Sequence, residues 1–173
     1  MKSRFLNTDL LPLEVVDSPW LYENKYNQYY ISNLPIEVIL DESWLFDKDD
    51  IGKWMLFYPK PLLNNAWELT KTLYRKNELN GVLSMKCSTS YENPRASTTQ
   101  NGIIILYCSN SSDEKTIMKI GENILQKLNY KEQQKIYYKT DVQTYEGTIA
   151  TGCKKNSTYS LFNHLYEPKR LLF

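Results

Sequence analysis

Short apolar runs separated by polar stretches dominate the chain after residue 50. Trp54–Tyr58 is continuous and apolar, as buried strands are, and Pro59 and Pro61 follow it. Residues 81–87 ("GVLSMKC") and 102–108 ("GIIILYC") are further runs of this type, bounded by turn residues. Three more strands are predicted, at "QKIYYK" (134–139), Thr144–Ala150 and "YSLF" (159–162).

A helix is predicted between the first two of these runs. Leu63, Trp67, Thr70 and Tyr74 (or Leu73) recur at steps of three and four residues, which is the helical period. Asn64 or Asn65 is the predicted N-cap, because an Asn side chain accepts hydrogen bonds from the first free backbone N–H groups.

The second helix has the clearest pattern in the chain. Ser111 with Glu114 three residues later has the spacing of a capping box. Lys127 lies near the predicted C-terminus, where the helix dipole favours a cation. The apolar positions of this helix are Ile117, Ile120, Gly121, Ile124, Leu125 and Leu128.

Strands interleaved with two helices predict an α+β fold, with a mainly antiparallel sheet and helices packed on one face. Trp54 and Trp67 are expected in one core. The other expected members of that core are Ile104, Leu106, Ile120 and Ile124. A chain of 173 residues is suited to one domain. Residues 1–40 are predicted to be an aromatic-rich N-terminal arm, packed on a single domain at 41–173.

The net charge, the cysteine count and the composition narrow the class of protein. A net charge of +1 creates no global field, so any site for a polyanion must be a local patch. Three cysteines, Cys87, Cys108 and Cys153, argue against a disulfide scaffold and favour a reducing cytoplasmic compartment. No run approaches the roughly 20 apolar residues of a membrane span. Aromatic residues make up 13% of the chain, with 14 tyrosines and 4 tryptophans, and this excess calls for a structural or functional explanation.

Candidate catalytic chemistry is sparse. The chain has one histidine, His164, outside any recognisable nucleophile motif, and Cys87 on a predicted strand has the character of a small buried hydrophobe. The acidic residues between 41 and 50 lack the spacing of a calcium loop. No phosphate-binding glycine loop is present. We therefore expect no catalytic residues, no metal, no cofactor and no enzymatic activity.

Four segments in order resemble the superfamily of the cap-binding translation initiation factor 4E. "IGKWMLF" (51–57) is similar to its Gly-Gly-Arg-Trp strand, and "NGVLSMK" (80–86) to its Gly-Ala-Val-Val-Asn-Val-Arg strand. "GIIILYC" resembles its Lys-Ile-Ala-Ile-Trp strand, and "EKTIMKIGENILQKL" (114–128) resembles the helix that follows.

A closer resemblance is to the basophilic leukaemia-expressed protein family within that superfamily. Gly-Lys-Trp-Met-Leu-Phe, Lys-x-Ser-Thr and Tyr-Tyr-Lys-x-Asp-x-x-Thr-Tyr-x-Gly recur in that family. Here they stand at Gly52–Phe57, Lys86–Thr89 and Tyr137–Gly147. The resemblance covers residues 41 to about 150, and it rests on the order of the motifs rather than on one of them.

The resemblance implies a curved antiparallel sheet with helices on its convex back and a ligand cleft on the concave side. In the cap binders two tryptophans sandwich a methylated guanine, a glutamate reads its edge, and basic side chains hold the phosphates. Trp44 matches one stacking tryptophan and Lys86 one phosphate-binding arginine. Leu45 stands where the glutamate would follow, which predicts no preference for a cap. Trp20, or a tyrosine of the 26–30 group, is the candidate second ring.

Two interpretations of these residues stay open. Trp44 either stacks on a ligand or covers the edge of the sheet, and Lys86 either binds phosphate or is a solvated cation. Arg95 and Lys139 are candidates for a basic rim. The predicted function is a non-catalytic, monomeric binding module for RNA or a nucleotide, without membrane association. The alternative is a protein-interaction module that keeps the scaffold without a nucleotide ligand.

Overall fold

The computed structural model describes residues 5–25, 50–92, 94, 100–145 and 157–168. The strands in this part are β1 (Trp20–Glu23), β2 (Gly52–Pro59), β3 (Ser84–Ser88), β4 (Asn101–Cys108), β5 (Lys135–Thr140) and β6 (Tyr159–Phe162). The α-helices are α1 (Lys60–Arg75), α2 (Glu114–Leu128) and α3 (Asp141–Tyr145), and a short 3-10 turn spans Pro12–Glu14.

The six strands form one open, curved sheet in the order β1-β3-β4-β2-β5-β6. Every neighbouring pair is antiparallel. The apolar strands β2 and β4 lie at its centre and share an eight-residue register, from Gly52 opposite Cys108 to Pro59 opposite Asn101. The α+β prediction is confirmed.

Helices α1 and α2 cover one face of the sheet. A Cβ on Gly121 of α2 would lie 2.7 Å from the ring of Trp54 on β2, and one on Gly102 of β4 would lie 2.4 Å from Leu63 of α1. These distances are below van der Waals contact, so glycine allows helix and sheet to approach closely.

The predicted core is confirmed. Trp54 is 0% exposed and Trp67 is 1% exposed. Both belong to one cluster that contains Ile104, Leu106, Ile120 and Ile124. The buried positions of α2 are the predicted ones: Ile117, Ile120, Gly121, Ile124, Leu125 and Leu128.

The first forty residues contribute a strand to the sheet. β1 pairs with β3, and Glu23 at its end accepts hydrogen bonds from the Arg75 guanidinium of α1. The Asn7 side-chain amide donates a hydrogen bond of 3.1 Å to the Asn24 carbonyl and accepts one of 2.8 Å from the Asn24 N–H. Residues 20–23 are therefore part of the sheet. The division into an arm at 1–40 and a domain at 41–173 stays a prediction.

The predicted N-cap of α1 is wrong. The helix begins at Lys60, with Pro59 at the cap position and Pro61 in the first turn. Proline is tolerated there because the first turn leaves its N–H groups without helical partners. The Asn64 side chain instead accepts a hydrogen bond of 2.9 Å from the Leu13 N–H, which ties the N-terminal segment to the helix.

The predicted capping box of α2 is also wrong. Asp113 is the N-cap, and its carboxylate accepts hydrogen bonds from the Thr116 N–H at 3.1 Å and the Thr116 hydroxyl at 2.7 Å. These bonds lower the pKa of the Asp113 carboxyl. Ser111 lies in the preceding turn, where its N–H donates to the Asp50 carbonyl. At the other end Asn129 adopts the left-handed conformation, with φ 47°.

The strand predicted at Thr144–Ala150 is wrong where the structure describes it, because Thr144 and Tyr145 belong to α3. A capping box forms there: the Gln143 N–H donates to the Thr140 hydroxyl, and the Thr140 N–H donates to the Gln143 side chain. Residues 146–150 lie outside the described part. Strands β5 and β6 are confirmed.

None of the described helices is both long and apolar enough to cross a bilayer.

Candidate functional site

The sheet face opposite the helices, called the open face below, carries a distinct set of side chains. Because successive side chains of a strand point to opposite faces, the register assigns these positions directly. The aromatic residues are Trp20, Tyr22, Phe57, Tyr107, Tyr137 and Phe162. The lysines are Lys53, Lys86, Lys135 and Lys139. In the six described strands no open-face position is Asp or Glu.

Lys86 lies in the middle of β3 rather than at its end. Its Nζ is 4.3 Å from the centroid of the Trp20 ring and 5.7 Å from that of Tyr107. Both distances are within the range of a cation–π interaction. Trp20 reaches Lys86 because β1 pairs with β3, with Tyr22 directly opposite Lys86. The lysine ammonium is therefore held in a defined place on the open face.

Lys53 approaches the same tyrosine from β2. Its Nζ lies 5.6 Å from the Tyr107 ring centroid and 2.8 Å from the Asp141 carboxylate. Lys53 is directly opposite Tyr107 in the register and is only 8% exposed. Tyr107 thus has a lysine ammonium within 6 Å on each neighbouring strand.

Lys139 of β5 is directly opposite Lys53. Like charges at opposed positions repel each other, so this arrangement is unfavourable without an anion nearby. Asp141 at the start of α3 pairs with Lys53, and among the described residues no carboxylate forms an ion pair with Lys139. Of these three charged groups, Lys53 and Lys139 are positive and Asp141 is negative.

The structure brings two of the four predicted site residues to one face. Lys86 and Lys139 both lie on the open face, on β3 and β5. Trp44 and Arg95 lie outside the described residues, so their predicted roles stay predictions. Trp20, the candidate second ring, is on the open face, where Lys86 lies over it.

Sequence reasoning missed Lys53, Tyr107 and Asp141. For Lys53 a signal was present: it precedes the buried Trp54, and alternation along a strand places it on the opposite face. For Asp141 no signal was available, because its contact with Lys53 spans 88 residues of sequence. The pairing of β2 with β5 creates that contact.

The two described cysteines, Cys87 and Cys108, are poor nucleophiles because both are buried. Burial raises the pKa of the Cys87 and Cys108 thiols, which keeps both in the weakly reactive neutral form. In the described part of the chain, no group of three or more His, Cys, Asp or Glu side chains is arranged to hold a metal ion.

Solved structures that are similar to this chain include eIF4E proteins. C. elegans eIF4E-3, in complex with the 4E-binding protein Mextli and a cap analog, has a TM-score of 0.51 at 12% identity over 66% of this chain and 60% of that chain. Ascaris suum eIF4E-3 with an m2,2,7G cap has a TM-score of 0.50 at 14% identity, and the match covers 66% of this chain and 61% of that chain. Schistosome eIF4E in complex with m7GpppG and 4E-BP has a TM-score of 0.50 at 14% identity, and the match covers 66% of this chain and 62% of that chain.

At these identities the likeness establishes the fold, and the match spans about three fifths of each of those chains. No curated protein matches the sequence. The sequence pattern of one family does match, over residues 49–147, which is more than half of the chain. That stretch contains β2 to β5 with α1 and α2. The protein belongs to the family described as basophilic leukemia-expressed protein Bles03.

Proposed function

We propose that the open face binds a nucleotide or RNA, and that the protein is a binding module rather than an enzyme. The observation that carries the proposal is the arrangement of Lys53 and Lys86 on both sides of Tyr107. Their Nζ atoms lie 5.6 and 5.7 Å from its ring centroid. Lysine ammonium groups bind phosphate oxygens, and aromatic rings stack on bases.

Local charge supports an anionic ligand. The whole chain carries a net charge of only +1, yet the open face has four lysines and, among its described strand positions, no carboxylate. Asp141 neutralises Lys53 in part, whereas Lys139 forms no ion pair with a carboxylate among the described residues. An anion placed near Tyr107 would also relieve the repulsion between Lys53 and Lys139.

Preorganisation favours Lys86 as the primary phosphate contact. Its ammonium is held by Trp20 at 4.3 Å, so less side-chain entropy is lost when a ligand binds. The solved cap-binding factors with this fold are described with cap ligands. For this chain we propose no preference for a methylated guanine, because Leu45 provides no carboxylate to read the edge of the base.

The test is a titration of tryptophan fluorescence with mononucleotides, cap analogues and short RNAs. Lys86→Ala should weaken binding and should lower the slope of log affinity against log salt by about 0.7, the value of one single-strand phosphate contact. Lys119→Ala is the matched control, since Lys119 is exposed on α2, behind the sheet. Equal affinity and equal slope in Lys86→Ala and Lys119→Ala would contradict the proposal.

One observation favours the alternative function, a protein-interaction module. Leu62 and Leu69 of α1 are each 44% exposed, and their spacing of seven residues places them on one side of the helix. If this side binds a protein partner, Leu69→Asp should abolish that binding without changing the nucleotide titration. Loss of nucleotide binding in Leu69→Asp, with the melting temperature unchanged, would contradict the separation of the two surfaces.

A further inference from the structure

The aromatic and basic character of the open face continues well beyond Tyr107. We infer that the ligand is a single-stranded oligonucleotide that runs across the sheet from β3 to β6, rather than a mononucleotide held at the Lys86 end. This inference rests on the proposed function and identifies its ligand class. The residues that extend the site are Lys135 and Tyr137 of β5 and Phe162 of β6.

The register provides a continuous path. One row of opposed residues runs from Tyr22 and Lys86 through Ile105 and Met55 to Tyr137. Since neighbouring strands are about 4.8 Å apart, Lys86 and Tyr137, three strands apart, are separated by about 14 Å. A stacked single strand advances by about 3.4 Å along its axis for each nucleotide, and by more when it is extended. Strand β6 lies one spacing beyond β5, at about 19 Å from Lys86, so the whole path corresponds to at most about six nucleotides.

The rings at the far end are exposed. Tyr137 is 41% exposed and Phe162 is 58% exposed, and both project from the open face. An exposed ring of this size on a strand leaves a π-face free for a base, and stacking tolerates every base. By contrast, Ile105 at the centre of the face is only 7% exposed. The β5–β6 end is therefore the part of the face with the most accessible ring surface.

Cations accompany these rings. Lys135 is directly opposite Phe162 on the open face and is exposed. Lys139 lies two residues beyond Tyr137 on the same side of β5. With Lys53 and Lys86, the lysines occupy β3, β2 and β5 in turn, which forms a basic track across the sheet. Interleaved rings and cations along a track are typical of sites for single-stranded nucleic acid.

A mononucleotide is too short to contact both ends of this track. A single-stranded ligand also explains why the rings are accessible, because paired bases in a duplex cannot stack on them. Base stacking and phosphate contacts are available to RNA and DNA alike, so strands of equal length of the two should bind comparably.

The experiment uses the full chain and a series of fluorescently labelled oligouridylates of one to eight nucleotides, with oligothymidylates and a duplex of eight pairs alongside. Affinity should rise with length up to about six nucleotides and then level off. Phe162→Ala and Tyr137→Ala should each weaken the binding of an eight-nucleotide strand by roughly 5- to 150-fold, the effect of one stacked base. Both variants should bind uridine monophosphate as the unchanged protein does.

Leu69→Ala is the matched control, because Leu69 is an apolar residue of similar exposure on the helical side of the molecule. Lys135→Ala adds a readout that loss of packing would not change, namely a smaller salt dependence with the eight-nucleotide strand alone. The inference is overturned if mononucleotide and oligonucleotide bind equally tightly, if a duplex binds as well as the single strand, or if both ring variants bind like Leu69→Ala. Absence of binding by every ligand, mononucleotides included, would remove the proposed function itself.

Discussion

Two adjacent tyrosines of β5 show how differently the two faces of the sheet are built. Tyr138 points toward the helices, is 0% exposed, and packs edge-on against Trp54 at 5.4 Å between ring centroids. Its hydroxyl donates to the Cys108 carbonyl at 3.1 Å, and burial raises its pKa above the ordinary value. Tyr137, the preceding residue, projects from the open face and is 41% exposed.

The same residue type therefore serves two purposes. On the helical face, Tyr58, Tyr130 and Tyr138 fill volume, and the Tyr130 hydroxyl lies 2.7 Å from the Phe57 carbonyl and 2.8 Å from the Gln133 side-chain oxygen. The hydrogen bonds of the Tyr130 and Tyr138 hydroxyls avoid the cost of burying a polar group without a partner. On the open face the rings lie beside lysines instead. Aromatic content alone does not distinguish a core from a binding surface, but the partners of each ring do.

The largest expected effect is in the core. Trp67→Ala should lower the free energy of unfolding by about 3–5 kcal/mol, because Trp67 is 1% exposed and its removal leaves a large cavity. Leu69→Ala, two residues along the same helix and 44% exposed, should change it by about 0.5 kcal/mol or less. Urea unfolding of both variants measures the difference. Equal midpoints would contradict the assignment of α1's buried side.

A smaller change in stability is expected for Gly121→Ala, and it should be destabilising, whereas Gly→Ala in a helix is usually stabilising. In an exposed helix interior, Gly→Ala would stabilise by about 1 kcal/mol. Here an added Cβ would lie 2.7 Å from the Trp54 ring and 3.0 Å from Leu161, so overpacking should dominate. Gly121→Ala should destabilise the protein by about 1–3 kcal/mol. Thermal unfolding against Lys119→Ala, an exposed control on the same helix, tests the sign. A higher melting temperature in Gly121→Ala would show that α2 can shift away from the sheet.

The smallest stability effect should be on the open face. Phe162→Ala should alter the free energy of unfolding by about 0.5 kcal/mol or less, because the ring is 58% exposed. Leu161→Ala, one residue earlier and 8% exposed, should cost about 2–5 kcal/mol. Chemical denaturation of this pair compares the two faces at adjacent positions. A large loss in Phe162→Ala would assign the ring to packing rather than to a ligand.

Much of the fold could be predicted because the period of apolar residues reports burial directly. The buried positions of α2 follow from the 3.6-residue period, and β2 and β4 from their apolar runs. Helix starts were predicted less well. Asn64 and Ser111 have good capping side chains, but Asn64 is bound by the Leu13 N–H and Ser111 lies in a turn. Several residues near a helix start can serve as a cap, and tertiary contacts choose among them.

The candidate site was only partly predictable. Lys86 and Lys139 were identified from the motif resemblance and the basic residue types, and the structure places both on one face. Lys53 was not among the predicted site residues, although strand alternation places it on the open face. Its role depends on Tyr107 from β4 and Asp141 after β5, which are distant in sequence. A site assembled from several strands leaves no local spacing pattern to read.

The sequence by itself determined the α+β class, the two long helices, the apolar core around Trp54 and Trp67, and the motif order of the family. These properties follow from local periodicity and residue type, which can be read from each segment of the sequence separately. Only the tertiary structure decided that β1 of the N-terminal segment pairs with β3 and brings Trp20 to Lys86. It also decided that lysines of three strands share one face. Strand order depends on the summed burial and hydrogen bonding of the whole sheet, which no single segment encodes.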